Sequence, residues 1–267
     1  MKIGFLITAR LKSSRLKLKL LKNLNGYSVI ERVIQRAKLV RECDDVILCT
    51  STDNQDLPLV RIAKENDIYY YNGSSEDVLQ RLLDAALLHN LDYIIGMTAD
   101  NPLFSLYYAN VISDTVRANP SLDYIYSSGN PIGMNVYAIK TKALQVICKV
   151  KEEVDTEIWG RLINRPEIFN VQEIHTDTNN HVDLDRVTLD EPADYEFLSE
   201  VFDNFSKDYV IEERDLNKLL HAQPEIAEIN CDIVQHDLDE STKKRIDAFF
   251  KNNHESILTL KEKIYIF

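Results

Sequence analysis

The chain is poor in cysteine and glycine, and it has no long apolar run. Its 267 residues include four cysteines, too few for a disulfide scaffold and too far apart for a CxxC metal pair. Of its seven glycines only Gly4 and Gly26 lie near the first strand-like segment, so it has neither a Walker A loop nor a GxGxxG motif there. The six histidines show no HxxxH spacing. These absences argue against disulfide-rich, P-loop, dinucleotide-binding and zinc-site proteins.

Membrane and secretory signals are also lacking. The longest apolar runs, such as residues 85–88 and 93–95, are far shorter than the roughly 20 residues of a membrane helix. Met1-Lys2-Ile3 leads straight into a strand-like segment rather than a signal peptide. We therefore expect a cytoplasmic protein without membrane insertion.

Charge is unevenly distributed along the chain. The net charge of −12 argues against general binding to nucleic acid. Residues 1–30 nevertheless contain seven cationic and no acidic residues and so carry +7. The rest of the chain contains 24 cationic and 43 acidic residues and so carries −19. The cations of this basic segment are Lys2, Arg10, Lys12, Arg15, Lys17, Lys19 and Lys22. A solvated basic face is the simplest interpretation, and a polyanion site is the alternative.

Strand-like and helix-like segments alternate, which favours an α/β protein with a mostly parallel sheet between two helical layers. Predicted strands cover residues 2–8, 45–50, 68–71, 91–98, 123–127, 135–139 and 168–174. Predicted helices begin at the caps Ser28 and Ser74 and cover 56–65, 105–117, 141–149, 192–202, 213–221 and 240–252. We expect a main domain at residues 1–205 and a small, mainly helical appendage at 206–267, with only 232–234 strand-like.

The loop after the first strand is a candidate phosphate site. The strand ends at Thr8-Ala9-Arg10, and the sequence LKSSRLKLK then interleaves cations with Ser13 and Ser14. Ligands of such sheets bind beyond the carboxyl ends of the strands. Because the loop lacks glycines, it would hold phosphate through side chains.

Two acidic residues are candidate Mg²⁺ ligands. Asp100 follows the predicted strand at 91–98, and Asp190 precedes the helix that begins at Pro192. Mg²⁺ takes one or two protein carboxylates and leaves its other positions to water and phosphate. Each acid also has a simpler interpretation, since Asp100 could cap a turn and Asp190 could provide negative charge at a helix N-terminus.

Together these segments resemble the cytidylyltransferases, and in particular their spore-coat polysaccharide branch. The resemblance covers about residues 1–205. The cytidylyltransferase family also includes the acylneuraminate and 3-deoxy-manno-octulosonate enzymes. It rests on ITARLKSSRLKLKLL, the helix at Ser28, NGSSEDVLQR, MTADNPL and RVTLDEPADYEFL, in that order.

The resemblance implies a nucleotidyltransferase fold that binds CTP with Mg²⁺. In that family an acceptor oxygen attacks the α-phosphorus of CTP and pyrophosphate leaves; a homodimer is also implied. It implies catalytic roles for Arg10, Lys19 and Asp100 and metal binding by Asp100 and Asp190. The implied nucleotide-binding residues are Ala9, Arg10, Ser14, Arg15, Lys19, Ser74, Gln80 and Arg81.

The sequence departs from the family at the phosphate loop, where Lys17-Leu18 replaces the usual Pro-Gly. Two other functions remain open. A metal-dependent glycosyltransferase would use an Asp-x-Asp motif, and Asp183-Leu184-Asp185 has that spacing. A catalytically degenerate homologue would bind a nucleotide, or a partner through its C-terminal appendage.

Overall fold

The computed structural model describes residues 1–153, 155–156, 158–177, 180–235 and 237–266. In this part of the chain seven strands form one sheet, and two short strands form a separate hairpin. The hairpin strands are β2 (Asn23–Leu24) and β3 (Tyr27–Ser28). The sheet strands are β1 (Ile3–Thr8), β4 (Asp45–Ser51), β5 (Tyr69–Gly73), β6 (Tyr93–Thr98), β7 (Tyr124–Ser128), β8 (Tyr137–Lys140) and β9 (Val171–His175).

Eleven α-helices lie in the described residues, and none of them is long and apolar enough to cross a membrane. The first six are α1 (Val29–Ala37), α2 (Leu57–Glu65), α3 (Val78–Leu88), α4 (Leu106–Ala118), α5 (Thr141–Val150) and α6 (Gly160–Ile163). The last five are α7 (Pro192–Asp203), α8 (Glu213–Ala222), α9 (Glu225–Glu228), α10 (Glu240–Asn252) and α11 (His254–Ile266).

The sheet has the order β5-β4-β1-β6-β8-β7-β9 and is mostly parallel. Strand β8 pairs antiparallel with both β6 and β7, whereas the other pairs are parallel. The chain passes from β1 through α1 to β4 on one side of β1, while β6 lies on the other side. The strand order therefore reverses at β1, and a crevice opens at the carboxyl ends of β1 and β6.

Helices cover both faces of the sheet, which confirms the three-layer α/β prediction. In β1, Phe5 and Ile7 point into the hydrophobic cluster shared with α1, α4 and α7. Leu6 points the other way, into the cluster shared with α3, α5 and α10. This burial on both faces explains the continuous apolar sequence of the strand.

The capping box predicted for α1 is present. The backbone N of Ser28 donates to Glu31 Oε2 at 2.7 Å, and Glu31 N donates to Ser28 Oγ at 3.4 Å. Two buried arginines of α1 then donate to main-chain carbonyls of the C-terminal region, Arg32 to Lys207 and Arg36 to Ile211. The helix therefore ties the chain beyond residue 205 to the sheet.

C-terminal residues contribute to the hydrophobic cores on both faces. Ile211 and Leu216 join the cluster that contains α1, and Phe250 and Ile257 join the cluster that contains α3. The strand-like interpretation of residues 232–234 is wrong, because none of these residues is in a strand and Val234 is 82% exposed. The domain division at residue 205 stays a prediction.

Candidate active site

A cavity of about 360 Å³ lies where the strand order reverses. Its walls come from the carboxyl ends of β1 and β6, the loop after β1, the start of α3 and the segment before α7. Its lining residues are Thr8, Ala9, Arg10, Lys12, Ser13, Ser14, Arg15, Lys19, Leu20, Glu76, Val78, Arg81, Thr98, Ala99, Asp100, Asp155, Trp159 and Asp190. The basic segment and the two candidate metal ligands thus share one cleft.

The loop after β1 is held at its base by buried groups. Ala9 N donates to the carbonyl of Cys49 at 3.0 Å, which continues the pairing of β1 with β4. Leu11 N donates to Asp56 Oδ1 at 2.7 Å, and Ser51 Oγ donates to the other oxygen of this carboxylate. Because Asp56 is only 1% exposed, these hydrogen bonds are shielded from water. The backbone at the beginning of the loop is therefore fixed in position, and the cationic side chains extend from it.

The loop ends in a tight turn that brings Lys19 to the cavity. Leu18 has φ +52° and ψ +32°, a left-handed conformation, and the 3₁₀ helix Lys19–Leu21 follows it. A glycine adopts this backbone without strain. The geometry therefore gives a physical reason for the glycine that is usual here in the enzymes that the sequence resembles, where the present chain has leucine.

Lys19 connects the basic loop with both candidate metal ligands. Its Nζ lies 2.7 Å from Asp100 Oδ2 and 2.9 Å from Asp190 Oδ1. Burial opposes the positive charge, but the two carboxylates outweigh it and raise the pKa of Lys19. Burial likewise opposes the negative charge of Asp100, yet Lys19 holds the pKa of this carboxyl below its usual value. Lys19 and Asp100 are therefore both charged at neutral pH.

Backbone contacts hold the two acidic segments side by side. Leu189 N donates to the carbonyl of Asp100 at 2.9 Å, so the residue before Asp190 is bonded directly to the loop after β6. Arg15 adds a second link between the basic loop and α7, with Nη2 3.3 Å from Asp190 Oδ1 and Nη1 3.0 Å from Glu191 Oε1. These links explain how acids 90 positions apart meet.

The donor set fits Mg²⁺ better than a metal held entirely by protein side chains. Asp100 Oδ2 and Asp190 Oδ1 touch the same ammonium, so they are close enough to share a small cation. No group of three or more His, Cys, Asp or Glu suited to a metal occurs in the described residues. Mg²⁺ in phosphate sites uses one or two carboxylates and completes its shell with water and phosphate oxygens.

The opposite wall of the cavity mixes cations, acids and an aromatic ring. Arg10 Nη1 lies 3.5 Å from Glu76 Oε1 and also donates to the carbonyl of Ser75. Arg81 is 1% exposed and donates to the carbonyl of Ser74, while its Nε lacks a hydrogen-bond partner among the described residues. This buried, incompletely paired guanidinium is suited to an anionic or carbonyl group of a ligand.

Most of the residues predicted from the sequence line this cavity. They are Ala9, Arg10, Ser14, Arg15, Lys19, Arg81, Asp100 and Asp190. Ser74 and Gln80 are not among its lining residues: Ser74 Oγ accepts from Asp77 N, and Gln80 Nε2 donates to Asp84. Contact of these two residues with nucleotide stays a prediction.

Sequence reasoning missed several residues of the wall. Glu76 and Asp155 line the cavity, as does Trp159, for which a core or interface position is the simpler expectation from the sequence. The Trp159 ring does pack edge-on against Tyr137, with centroids 4.6 Å apart. Thr156 bonds to the first turn of α3, because its Oγ1 accepts from Leu79 N at 3.0 Å. No sequence motif signals that this segment lies beside α3.

The Asp-x-Asp segment lies elsewhere. Asp183 and Asp185 are exposed, and neither lines the cavity. The cavity carboxylates are instead Glu76, Asp100, Asp155 and Asp190. The geometry therefore gives no support to a glycosyltransferase centre at the Asp-x-Asp segment.

A mostly parallel α/β/α sheet with a cationic loop facing two carboxylates across its switch point defines a nucleotidyltransferase. The chain belongs to the cytidylyltransferase family, because a family model described as Cytidylyltransferase matches residues 5–214. The resemblance seen in the sequence is thereby confirmed.

Individual relatives and a solved structure are similar to the chain over most of its length. The chain is 27% identical over 238 residues to an uncharacterised protein of Methanocaldococcus jannaschii, covering 88% of this chain and 97% of the relative. It is 24% identical over 232 residues to the spore coat polysaccharide biosynthesis protein SpsF of Bacillus subtilis, covering 84% and 96%. A solved cytidylyltransferase structure from Leptospira borgpetersenii is similar with a TM-score of 0.77 at 25% identity, covering 89% of this chain and all of that one.

Proposed function

We propose that this protein transfers CMP from CTP to an acidic sugar or a phosphorylated small molecule and releases pyrophosphate. The observation that carries the proposal is the contact of Lys19 with both Asp100 and Asp190 in a cavity lined by three further loop cations. The family name supports transfer of a cytidylyl group. The name of the Bacillus relative supports a role in surface polysaccharide or glycan synthesis.

In the proposed reaction an acceptor oxygen attacks the α-phosphorus, and the bond from that phosphorus to the β-phosphate bridging oxygen breaks. Arg10, Arg15 and Lys19 bind the triphosphate and stabilise the charge that develops on its oxygens and on the departing pyrophosphate. Asp100 and Asp190 hold Mg²⁺, which when bound neutralises phosphate charge. Arg81, which lines the same cavity, contributes its positive charge to nucleotide binding. No covalent enzyme intermediate is required.

Pyrophosphate release tests this proposal. The wild-type protein is incubated with CTP, Mg²⁺ and a panel of acidic sugars and phosphorylated acceptors, and we expect release with a matching acceptor. Asp100→Ala should abolish it, whereas the control Asp183→Ala should retain it because Asp183 lies outside the cavity. Steady turnover in Asp100→Ala with Mg²⁺ present would overturn the metal assignment, and loss in Asp183→Ala would show that the cavity residues alone do not account for the activity.

Nucleotide binding, measured without turnover, distinguishes the proposed cytidylyltransferase from a glycosyltransferase. CTP with Mg²⁺ should raise the melting temperature, since a ligand that binds only the folded state stabilises it, whereas UDP-sugars should not. Stabilisation by UDP-sugars alone would contradict the proposal. CTP binding without turnover across the whole panel would favour a degenerate homologue. The homodimer and the cytoplasmic location stay predictions.

A further inference from the structure

A buried network of polar side chains lies behind Asp190. Arg186, which is 2% exposed, donates from Nε and Nη2 to the two carboxylate oxygens of Asp194, each at 2.9 Å. Asp194 is fully buried in the first turn of α7 and also accepts from the backbone N of Asp190 and of Glu191, each at 2.9 Å. The backbone of the candidate metal ligand is therefore bonded to a buried ion pair.

The same arginine also contacts the side chain of Asp190. Arg186 Nη2 lies 3.2 Å from Asp190 Oδ2, whereas Asp190 Oδ1 is the oxygen that contacts Lys19 and Arg15. Asp190 Oδ2 is thus bound by a buried arginine on the interior side, and Asp190 Oδ1 faces the cations of the cavity. Arg186 and Asp194 together fix both the backbone and the side-chain orientation of the carboxylate.

The network continues into the chain beyond the family match, which ends at residue 214. Asn230, 3% exposed, donates Nδ2 to Asp194 Oδ1 at 2.9 Å. Gln235 Oε1 accepts from Arg186 Nη1 at 3.2 Å. Buried charged groups need such partners because water cannot replace them. The segment at residues 230–235 thereby completes the environment of Arg186.

We propose that Arg186 is a positioning residue for the metal ligand Asp190 and that Asn230, through its hydrogen bond to Asp194, holds the Asp194 carboxylate in place against Arg186. The inference rests on the proposed function, because it concerns the carboxylate pair assigned there. Groups that hold a metal-ligating side chain by hydrogen bonds change metal affinity by about 10- to 100-fold when they are removed. The C-terminal segment is then part of the active-site structure.

The test measures metal dependence without turnover. The full chain is held with saturating CTP and no acceptor, and the Mn²⁺ concentration that gives half of the CTP-dependent rise in melting temperature is determined. Arg186→Lys, which keeps the charge but loses the paired hydrogen bonds, and Asn230→Ala should each raise this concentration about tenfold or more. The matched control is Asn217→Ala, whose amide bonds to the carbonyl of His181 at 2.7 Å and should stay within about twofold.

Each outcome separates a positioning role from a merely structural one. If Arg186→Lys does not fold, Asn230→Ala decides the question, because it leaves the ion pair intact. A lower melting temperature with an unchanged half-maximal Mn²⁺ concentration in the folded variants would overturn the inference. Asp190→Asn should lose the Mn²⁺ response; an unchanged response there would overturn the metal assignment of the proposed function itself.

Discussion

Lys19 places its ammonium between two carboxylates, where it competes with any divalent cation. A singly and a doubly charged cation about 3 Å apart repel by about 3 kcal/mol even at the dielectric constant of water. We therefore expect Lys19→Met to bind Mn²⁺ about tenfold more tightly than the wild type in the absence of nucleotide. The measurement is a titration in which electron paramagnetic resonance reports the concentration of free Mn²⁺. Turnover should fall by about 10²-fold or more, because a charge-stabilising contact is lost.

A second lysine of the cavity provides the control for this prediction. Lys12 lies 3.6 Å from Glu76 and is not paired with Asp100 or Asp190. Lys12→Met removes one positive charge from the same cavity and should leave nucleotide-free Mn²⁺ affinity within about twofold. Equal tightening in both variants would attribute the effect to overall charge rather than to the position of Lys19.

Leu18 is a second residue with a local consequence. Its left-handed backbone costs a residue other than glycine about 1–2 kcal/mol, and its side chain is 52% exposed, so little packing compensates. Allowing for the greater freedom of glycine in the unfolded chain, Leu18→Gly should stabilise the protein by about 0.5–1 kcal/mol in urea unfolding. Leu88→Gly is the control, since this exposed residue at the end of α3 has no left-handed backbone to relieve and should not gain stability. Destabilisation by Leu18→Gly would show that the leucine side chain contributes more than its backbone strain costs.

At the scale of secondary-structure elements, the carboxylate of Asp77 stabilises the N-terminus of α3. Asp77 accepts from Gln80 N at 3.0 Å and from Thr156 Oγ1 at 3.1 Å, and it pairs with Lys151, which is 6% exposed. Asp77→Ala removes the cap and leaves this lysine without its counter-ion. We expect a loss of about 2–4 kcal/mol in the free energy of unfolding, measured by urea denaturation.

A second capped helix supplies the comparison for Asp77. Asp239 caps α10 by accepting from Thr242 N at 2.9 Å, but within the described part of the chain it forms no ion pair with a buried cation. Asp239→Ala should therefore destabilise the protein less than Asp77→Ala. Equal losses in the two variants would show that the cap alone, and not the pairing with Lys151, accounts for the effect.

Local patterns predicted those elements whose signals lie within a few residues. The Ser28 and Glu31 spacing predicted the start of α1, and the predicted helix at 240–252 coincides with α10. The antiparallel direction of β8 was not predictable, since a short apolar strand reads the same in either direction. The 3₁₀ turn at Lys19–Leu21 also gave no signal, because it depends on the left-handed Leu18.

The site was predictable where residues follow strand ends. Arg10 and Asp100 were placed at one sheet edge because parallel strands end on the same side. Asp190, which precedes a predicted helix, was added as a second candidate metal ligand and matched by the family resemblance. The contact of Asp190 with Arg186 depends on how α7 meets the C-terminal turn, which no spacing in the sequence encodes. Trp159 likewise reaches the cavity through packing of its loop against α3.

At the scale of the whole molecule, the last 62 residues share both cores with the sheet. Beyond the apolar contacts, Lys261 Nζ lies 2.7 Å from the buried Asp123 at the start of β7. Glu213, itself 5% exposed, accepts from the buried Ser105 at the start of α4. These contacts join α8 and α11 to opposite faces of the sheet.

A chain that ends at residue 205 should therefore fail to fold cooperatively. Such a truncation exposes the surfaces that Ile211, Leu216 and Phe250 cover, and it leaves the buried Asp123 without Lys261. Uncovering large apolar side chains costs about 1.5–3 kcal/mol each, so a few of them equal the whole stability of a typical domain. We expect no cooperative thermal transition in near-ultraviolet circular dichroism, whereas full-length Ile266→Ala, altered at a 77% exposed position, should melt like the wild type. A fragment that melts cooperatively and is stabilised by CTP would instead establish residues 1–205 as an independent domain.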